Sequence, residues 1–181
     1  MNKVDFKKKC QAIKLVVVDV DGVLTDGGVY YSKNDTVMKK FNIRDGAGVA
    51  LLQLSEIRVG ILTTDTFGLS SKRCWDIGVD FIFDRIKDKL ICLNDYLLKE
   101  NYNNQEVAYI GDEINDYCLL SNVGVFFAPA DANIVIKDKA DYVLQTLGGQ
   151  GVLREVAQIL LDAQGCYLQV IDAYTKNNCN R

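Results

Sequence analysis

Short apolar runs recur along the chain, separated by longer stretches in which apolar residues return with helical spacing. The runs are Leu15-Val16-Val17-Val18, Val59-Gly60-Ile61-Leu62, Phe81-Ile82-Phe83, Val107-Ala108-Tyr109-Ile110 and Val123-Gly124-Val125-Phe126, with a further candidate at Tyr142-Val143-Leu144. Runs this short and this uniformly apolar suit strands buried on both faces, as in a parallel sheet. Helices are expected near Gly48 to Ser55, Leu69 to Ile77, Asp88 to Glu100 and Asp116 to Ser121, and from Gly151 to Leu161 after a glycine-rich turn. The alternation predicts an α/β fold, a Rossmann-like parallel sheet with helices on both faces and right-handed crossovers.

One segment breaks the alternation. Gly27 to Phe41 reads as two β-rich runs around the polar Lys33-Asn34-Asp35, which predicts a hairpin at about 28–42, inserted after the first strand. Val29, Tyr31, Val37 and Phe41 are expected to form its apolar face, and such faces seek partners. Only about twenty residues separate Asp26 from Gly46, and the hairpin takes them, so a cap domain has no room there. The tail, about 165–181, ends in the polar stretch Thr175 to Arg181 and is expected to fray. With no repeat, no low-complexity tract and a single proline, residues 1–181 are expected to form one domain.

Composition narrows the function. Hydrophobic residues make up 49% and charged residues 25% of the 181, the balance of a folded globular chain. A formal charge of -3, with only Lys7-Lys8-Lys9 as a basic cluster, argues against a nucleic-acid partner. The polar N-terminus and the short run Leu15 to Val18 suit neither a signal peptide nor a membrane span. Six scattered cysteines without a CxxC pair are expected to be reduced thiols in a cytoplasmic protein. The chain has no histidine, so Ser-His-Asp and Cys-His mechanisms are excluded. Its chemistry must run on carboxylates, hydroxyls, lysines or a metal.

Candidate residues stand where the expected strands end. Asp19-Val20-Asp21-Gly22 follows the first strand, and ligands of open α/β sheets bind beyond the carboxyl ends of strands. Two acids one residue apart on a sharp turn can divide nucleophilic attack and metal binding from handling of the leaving-group proton. Taken alone, the stretch also suits an Asp-rich turn capping a helix. Thr63 ends the second run and offers a hydroxyl. Lys89, with Lys87 as a rival, opens a helix where an ammonium can neutralise phosphate charge. Gly111-Asp112-Glu113-Ile114-Asn115-Asp116 follows the fourth run and adds carboxylates suited to a hard ion such as Mg2+, with Asp112 assigned to the metal and Asp116 to orienting the site. The same stretch would serve as a helix N-cap, and both readings can hold together.

The order Asp-x-Asp, Thr, Lys, Gly-Asp-x-x-x-Asp resembles the haloacid dehalogenase superfamily over nearly the whole chain. That resemblance implies a Mg2+-dependent phosphatase in which Asp19 is nucleophile and metal ligand. Asp21 would be the acid/base, with its backbone carbonyl on the metal, and Asp112 a further ligand, while Thr63 and Lys89 hold the phosphoryl group. The hairpin, Lys40-Phe41-Asn42-Ile43-Arg44-Asp45-Gly46 and Gly148-Gly149-Gln150-Gly151-Val152-Leu153-Arg154-Glu155 look like the small capless branch. Its members act on octulosonate 8-phosphate or nine-carbon ulosonate 9-phosphates, and resemble each other in forming homotetramers through the hairpin, with a neighbouring subunit closing the site.

The implied substrate is a small-molecule sugar-acid phosphate, with Lys39, Lys40 and Arg44 offering charge to its carboxylate. Two departures bear on it. Thr64-Asp65 stands where that branch carries Gly-Arg or Gly-Glu, and Gln150 where octulosonate enzymes tend to carry Arg. Asp65 is therefore expected to accept from hydroxyl, amide or ammonium groups on the sugar, which tilts the expectation slightly towards a nine-carbon or amino-substituted substrate while octulosonate 8-phosphate stays the leading one. Two other classes stay open: a phospho-accepting receiver domain, which would need Asp84 as acceptor, and a non-catalytic tetramerisation module of sugar-acid activation.

Overall fold

The computed structural model describes residues 3–33, 37–66 and 68–179. The strands are β1 (Leu15–Val18), β2 (Tyr30–Tyr31), β3 (Val37–Met38), β4 (Arg58–Leu62), β5 (Phe81–Phe83), β6 (Val107–Ile110), β7 (Val125–Ala128) and β8 (Tyr142–Val143). The helices are α1 (Lys3–Gln11), α2 (Arg44–Gln53), α3 (Leu69–Asp76), α4 (Lys89–Glu100), α5 (Ile134–Lys137), α6 (Val152–Gln164) and α7 (Tyr167–Cys179), with 3-10 turns at Asn104–Glu106 and Ile114–Leu119. Six strands form one parallel sheet in the order β5-β4-β1-β6-β7-β8, and β2 pairs with β3 as a separate antiparallel ribbon.

The centre of the sheet follows from the side-chain alternation of β1. Val16 and Val18 join a core made with α1, α2, α3, α6 and α7, while Leu15 and Val17 face a second core with α4, α5 and the 3-10 turn before Leu120. All four are fully buried, and each such side chain contributes about 1.5–3 kcal/mol. On the first face α2 and α6 are also joined electrostatically. Asp45, in the first turn of α2, accepts from the backbone N–H of Leu153 at 3.0 Å and so satisfies the start of α6, whose own preceding residue is Gly151. Burial pushes the Asp45 carboxyl up to about 6 against the pull of the Leu153 and Arg154 N–H groups.

The outer strands carry the second face. Gly60 leaves a vacancy on β4 that the ring of Phe81 on β5 fills, and a Cβ at position 60 would lie 1.9 Å from that ring. Phe81 in turn packs on Tyr96 of α4, their ring centroids 4.1 Å apart. Asp88 caps α4 by accepting from Ile91 N–H at 3.0 Å, and Asn101 ends it in the left-handed conformation. This cap sets Lys89 in the first turn, pointing into the sheet's carboxyl edge.

Several elements differ from expectation. The fifth run starts its pairing later, at Val125 rather than Val123. Gly124 is taken up by a backbone bond to Val107 and a close approach to Gln105, and Phe127 and Ala128 continue the strand instead. The helix expected over Asp116 to Ser121 is the 3-10 turn Ile114–Leu119, and the one expected from Gly48 begins at Arg44. α1, α5 and α7 were not foreseen. α1 shows few apolar positions, with Phe6 stacked on Tyr142 and Cys10 buried, and α7 continues into the stretch expected to fray, as far as Cys179. The hairpin is present, although its turn, Asn34 to Thr36, lies outside the described residues. Phe41 does not share its outer face: it pairs with Thr25 and packs on the core, while Val29, Tyr30, Tyr31 and Met38 are exposed. Among the described residues no helix is long and apolar enough to cross a membrane.

The Gly60–Phe81 fit yields a stability test. Gly60→Ala should lower the urea-denaturation free energy by about 1–3 kcal/mol, as overpacking does. Combining it with Phe81→Leu should recover part of the loss, because the two positions share one space.

Candidate active site

The carboxyl edge of the sheet gathers the chemistry-bearing residues. Asp19 directly follows β1, Thr63 follows β4, and Asp112 stands two residues beyond β6, after Gly111. The Val20 carbonyl accepts from Val23, Leu24 and Thr25, folding the chain after Asp19 into a tight turn. Thr25, fully buried, ties this turn from within: its Oγ1 accepts from Gly22 and Gly27 N–H and donates to Asp21 at 3.3 Å. Gly22 has φ +80, and a Cβ there would lie 2.0 Å from Oδ2 of Asp112, so only glycine lets the second acidic loop close over the first.

Lys89 is the electrostatic centre. Its ammonium lies 3.0 Å from Asp19 and 2.6 Å from Asp116, and donates to the Tyr109 hydroxyl at 3.2 Å. Tyr109 donates to Asp116 at 2.6 Å, while the other Asp116 oxygen accepts from Asp112 N–H at 3.0 Å. Burial would lower the Lys89 pKa, but Asp19 and Asp116 outweigh it and hold the ammonium above its ordinary range. Lys89 therefore stays charged, with its side chain almost wholly out of water.

The acids around it are short of positive charge. Oxygens of Asp19, Asp112 and Asp116 lie within 4.8 Å of one another, facing the single ammonium of Lys89. Burial, then the charge of Asp116, pushes Asp19 up to about 7 despite Lys89, and burial, then Asp19 and Asp116, pushes Asp112 up to about 8. Oδ1 of Asp112 is buried without a hydrogen-bond partner. Both Asp116 oxygens are already engaged, so Asp19 and Asp112 are the side chains that can take a cation. An all-oxygen set with surplus negative charge and an unpartnered inward oxygen fits a hard divalent ion.

These groups open into a cavity of about 230 Å³ lined by Asp19, Asp21, Gly22, Gly27, Thr64, Asp112, Glu113 and Asn115. Glu113 and Asn115 had no assigned role in the sequence reading, although their position in the Gly-Asp-x-x-x-Asp stretch marks them. Thr63 is buried beside the cavity, its hydroxyl accepting from Asp65 N–H at 3.1 Å. Four expected substrate contacts are placed differently. Asp65 is buried, paired with Lys39 at 3.0 Å and bonded by the Ser70 hydroxyl, rather than turned to the cavity. Lys39 is buried with it and also reaches Asp21 at 2.8 Å, and Lys40 pairs with Asp26 at 3.1 Å. Arg44 lines a different groove, of about 630 Å³, with Gln150 and Arg154. No sequence signal distinguished Lys39 from a solvated lysine, since its burial depends on where the hairpin folds back.

The crowding of acids gives a pH test. Folded Asp19 and Asp112 hold protons to higher pH than the unfolded chain does, so the unfolded state binds fewer protons between about pH 4 and 8. Stability in EDTA should therefore fall as pH rises through that window, read as urea midpoints. Asp112→Asn should flatten the slope.

Comparison with known proteins agrees with this geometry. Residues 64–156 match the family model described as haloacid dehalogenase-like hydrolase. The 3-deoxy-D-manno-octulosonate 8-phosphate phosphatase of Escherichia coli strain K12 is 39% identical over 161 residues, spanning 89% of this chain and 86% of that protein. The same enzyme from Moraxella catarrhalis, in complex with magnesium ion, phosphate ion and KDO molecule, superposes with a TM-score of 0.91 at 29% identity, covering 96% and 99% of the two chains. The cobalt-bound form from Haemophilus influenzae gives a TM-score of 0.83 at 36% identity, over 88% and 93%. The parallel sheet, the acids at its carboxyl edge and these likenesses over most of the chain lead to one assignment: the chain belongs to the haloacid dehalogenase-like hydrolases, in their capless branch.

Proposed function

We propose that this chain is a Mg2+-dependent phosphatase that hydrolyses the phosphate monoester of a 3-deoxy-2-ulosonic acid, with 3-deoxy-D-manno-octulosonate 8-phosphate as the preferred substrate. The observation that carries the reading is the carboxylate of Asp19 held against the buried Lys89 ammonium, beside the unpartnered oxygen of Asp112. The 39% identity to an octulosonate phosphatase supports the substrate. Asp65 no longer favours a nine-carbon sugar, because its carboxylate is occupied by Lys39 and Ser70.

Asp19, Asp112 and the main-chain carbonyl of Asp21 would hold Mg2+, which neutralises phosphoryl charge when bound. The Asp19 carboxylate attacks phosphorus, the bond from phosphorus to the sugar oxygen breaks, and Asp21 gives that oxygen its proton. Asp21 then takes a proton from water as the water attacks the aspartyl phosphate, and the bond to Asp19 breaks to release phosphate. Lys89 keeps charge compensation beside the nucleophile, and Thr63 and Thr64 present hydroxyls to the phosphoryl oxygens. Asp116 holds Lys89 and the Asp112 loop in register through the contacts described above.

The same reading includes one domain over residues 1–181, a cytoplasmic setting, no nucleic-acid or membrane partner, and a homotetramer assembled through the hairpin. Val29, Tyr30, Tyr31 and Met38 support the assembly, since they leave an apolar surface on a two-stranded ribbon that has no second layer of its own. Arg44 stands apart from the acidic cavity of its own chain, so a contact with substrate would come from a neighbouring copy.

Two experiments test this. With Mg2+ present, Asp19→Asn should lower kcat by about 10³-fold or more, and kcat/KM should favour octulosonate 8-phosphate over hexose phosphates; activity within about tenfold of the parent overturns the nucleophile. Sedimentation at micromolar concentration should give a tetramer, and Tyr31→Lys with Met38→Lys should shift it towards smaller species.

A further inference from the structure

Lys39 is a long cationic side chain on a short exposed ribbon, yet it turns inward and its side chain is 2% exposed. Burying an ammonium is costly unless paired carboxylates surround it. Two do so: Asp65, whose side chain is 3% exposed, at 3.0 Å, and Asp21 at 2.8 Å. Ser70 Oγ lies 3.5 Å from the same ammonium and donates to Asp65. Burial would lower the Lys39 pKa, but the hydrogen bonds it donates to Asp21 and Asp65 outweigh it, so the ammonium remains charged.

The two sides of this cluster differ. Asp65 and Ser70 are buried and fixed by the start of α3, whereas the Asp21 side chain is 42% exposed and borders the cavity. Besides Lys39, the side-chain bond described for the Asp21 carboxylate is the long one from Thr25, at 3.3 Å. A solvated basic face does not explain a buried lysine, and a contact with the sugar carboxylate does not explain why the ammonium is already enclosed by two acids. We propose that Lys39, anchored by Asp65 and Ser70, is the positioning residue for Asp21, aiming its carboxyl at the leaving-group oxygen. The proposal rests on the phosphatase reading and deepens it: the departure Thr64-Asp65 from the family pattern becomes part of the acid's support rather than a sugar contact.

Leaving-group chemistry separates this role from a structural one. An alkoxide needs a proton as it departs, and p-nitrophenolate hardly does, so a misaimed acid slows the sugar phosphate selectively. Lys39→Met, Ser70→Ala and the charge-neutral double variant Lys39→Met with Asp65→Asn are compared on octulosonate 8-phosphate and p-nitrophenyl phosphate, with Mg2+. The double variant removes the cation without leaving Asp65 as a buried unpaired charge, and its melting temperature checks the fold. The expected result is a loss of kcat/KM, which reports leaving-group departure and not the later hydrolysis common to both substrates, at least about tenfold greater on the sugar phosphate than on the aryl ester, smaller for Ser70→Ala. Equal losses on both substrates, or no loss, overturn the positioning role while leaving the phosphatase reading intact. Wild-type activity that survives Asp19→Asn overturns that reading and the proposal with it.

Discussion

The ion pair of Lys89 with Asp19 and Asp116 is the constraint on which the rest of the site depends. Two carboxylates cannot share a dry space at the end of a sheet without a cation, and a buried ammonium cannot stand there without acids. Each member comes from a different element: Asp19 from the end of β1, Lys89 from the first turn of α4, Asp116 from the 3-10 turn after β6. The cluster therefore ties those three elements to one another at the carboxyl edge of the sheet. It also leaves a surplus of negative charge in one place, and the hard-ion site follows from that surplus.

A second ion cluster mirrors the first on the solvent side. Lys39 joins Asp21 to Asp65, so both acids of the Asp-x-Asp pair have an ammonium partner, one from a helix and one from the hairpin. A chain without a cap thus uses its inserted ribbon twice. The ribbon exposes apolar side chains on both of its faces, Tyr30 with Met38 on one and Tyr31 on the other, while its base sends a charge to Asp21.

The central strands were legible because they are buried on both faces, which makes their sequences uniformly apolar. Leu15–Val18 and Val107–Ile110 coincide with the expected runs. α1 and α7 were not, since each presents only a narrow stripe to the core and the remainder of its surface is polar. In the site, Asp19, Lys89 and Asp112 converge because strand ends in this topology share one edge, an inference available from alternation alone. Lys39 and Asp65 were read as substrate contacts because spacing shows which charges lie near a cavity, not which of them already face each other. Arg44 illustrates the same limit: it opens α2 close to the turn at Gly151, and that turn directs it to another groove.

The N-terminus of α6 is held by a carboxylate more than a hundred positions earlier in the chain. During synthesis on the ribosome, Asp45 emerges long before Leu153 and has no native acceptor role until the last third of the chain has been made. Docking of α2 against α6 is thereby a late, long-range event, and loops of that separation close slowly. A nascent chain cut short before residue 152 would lack α6 and expose the face of the sheet that α6 covers, which makes such fragments natural clients of chaperones and proteases.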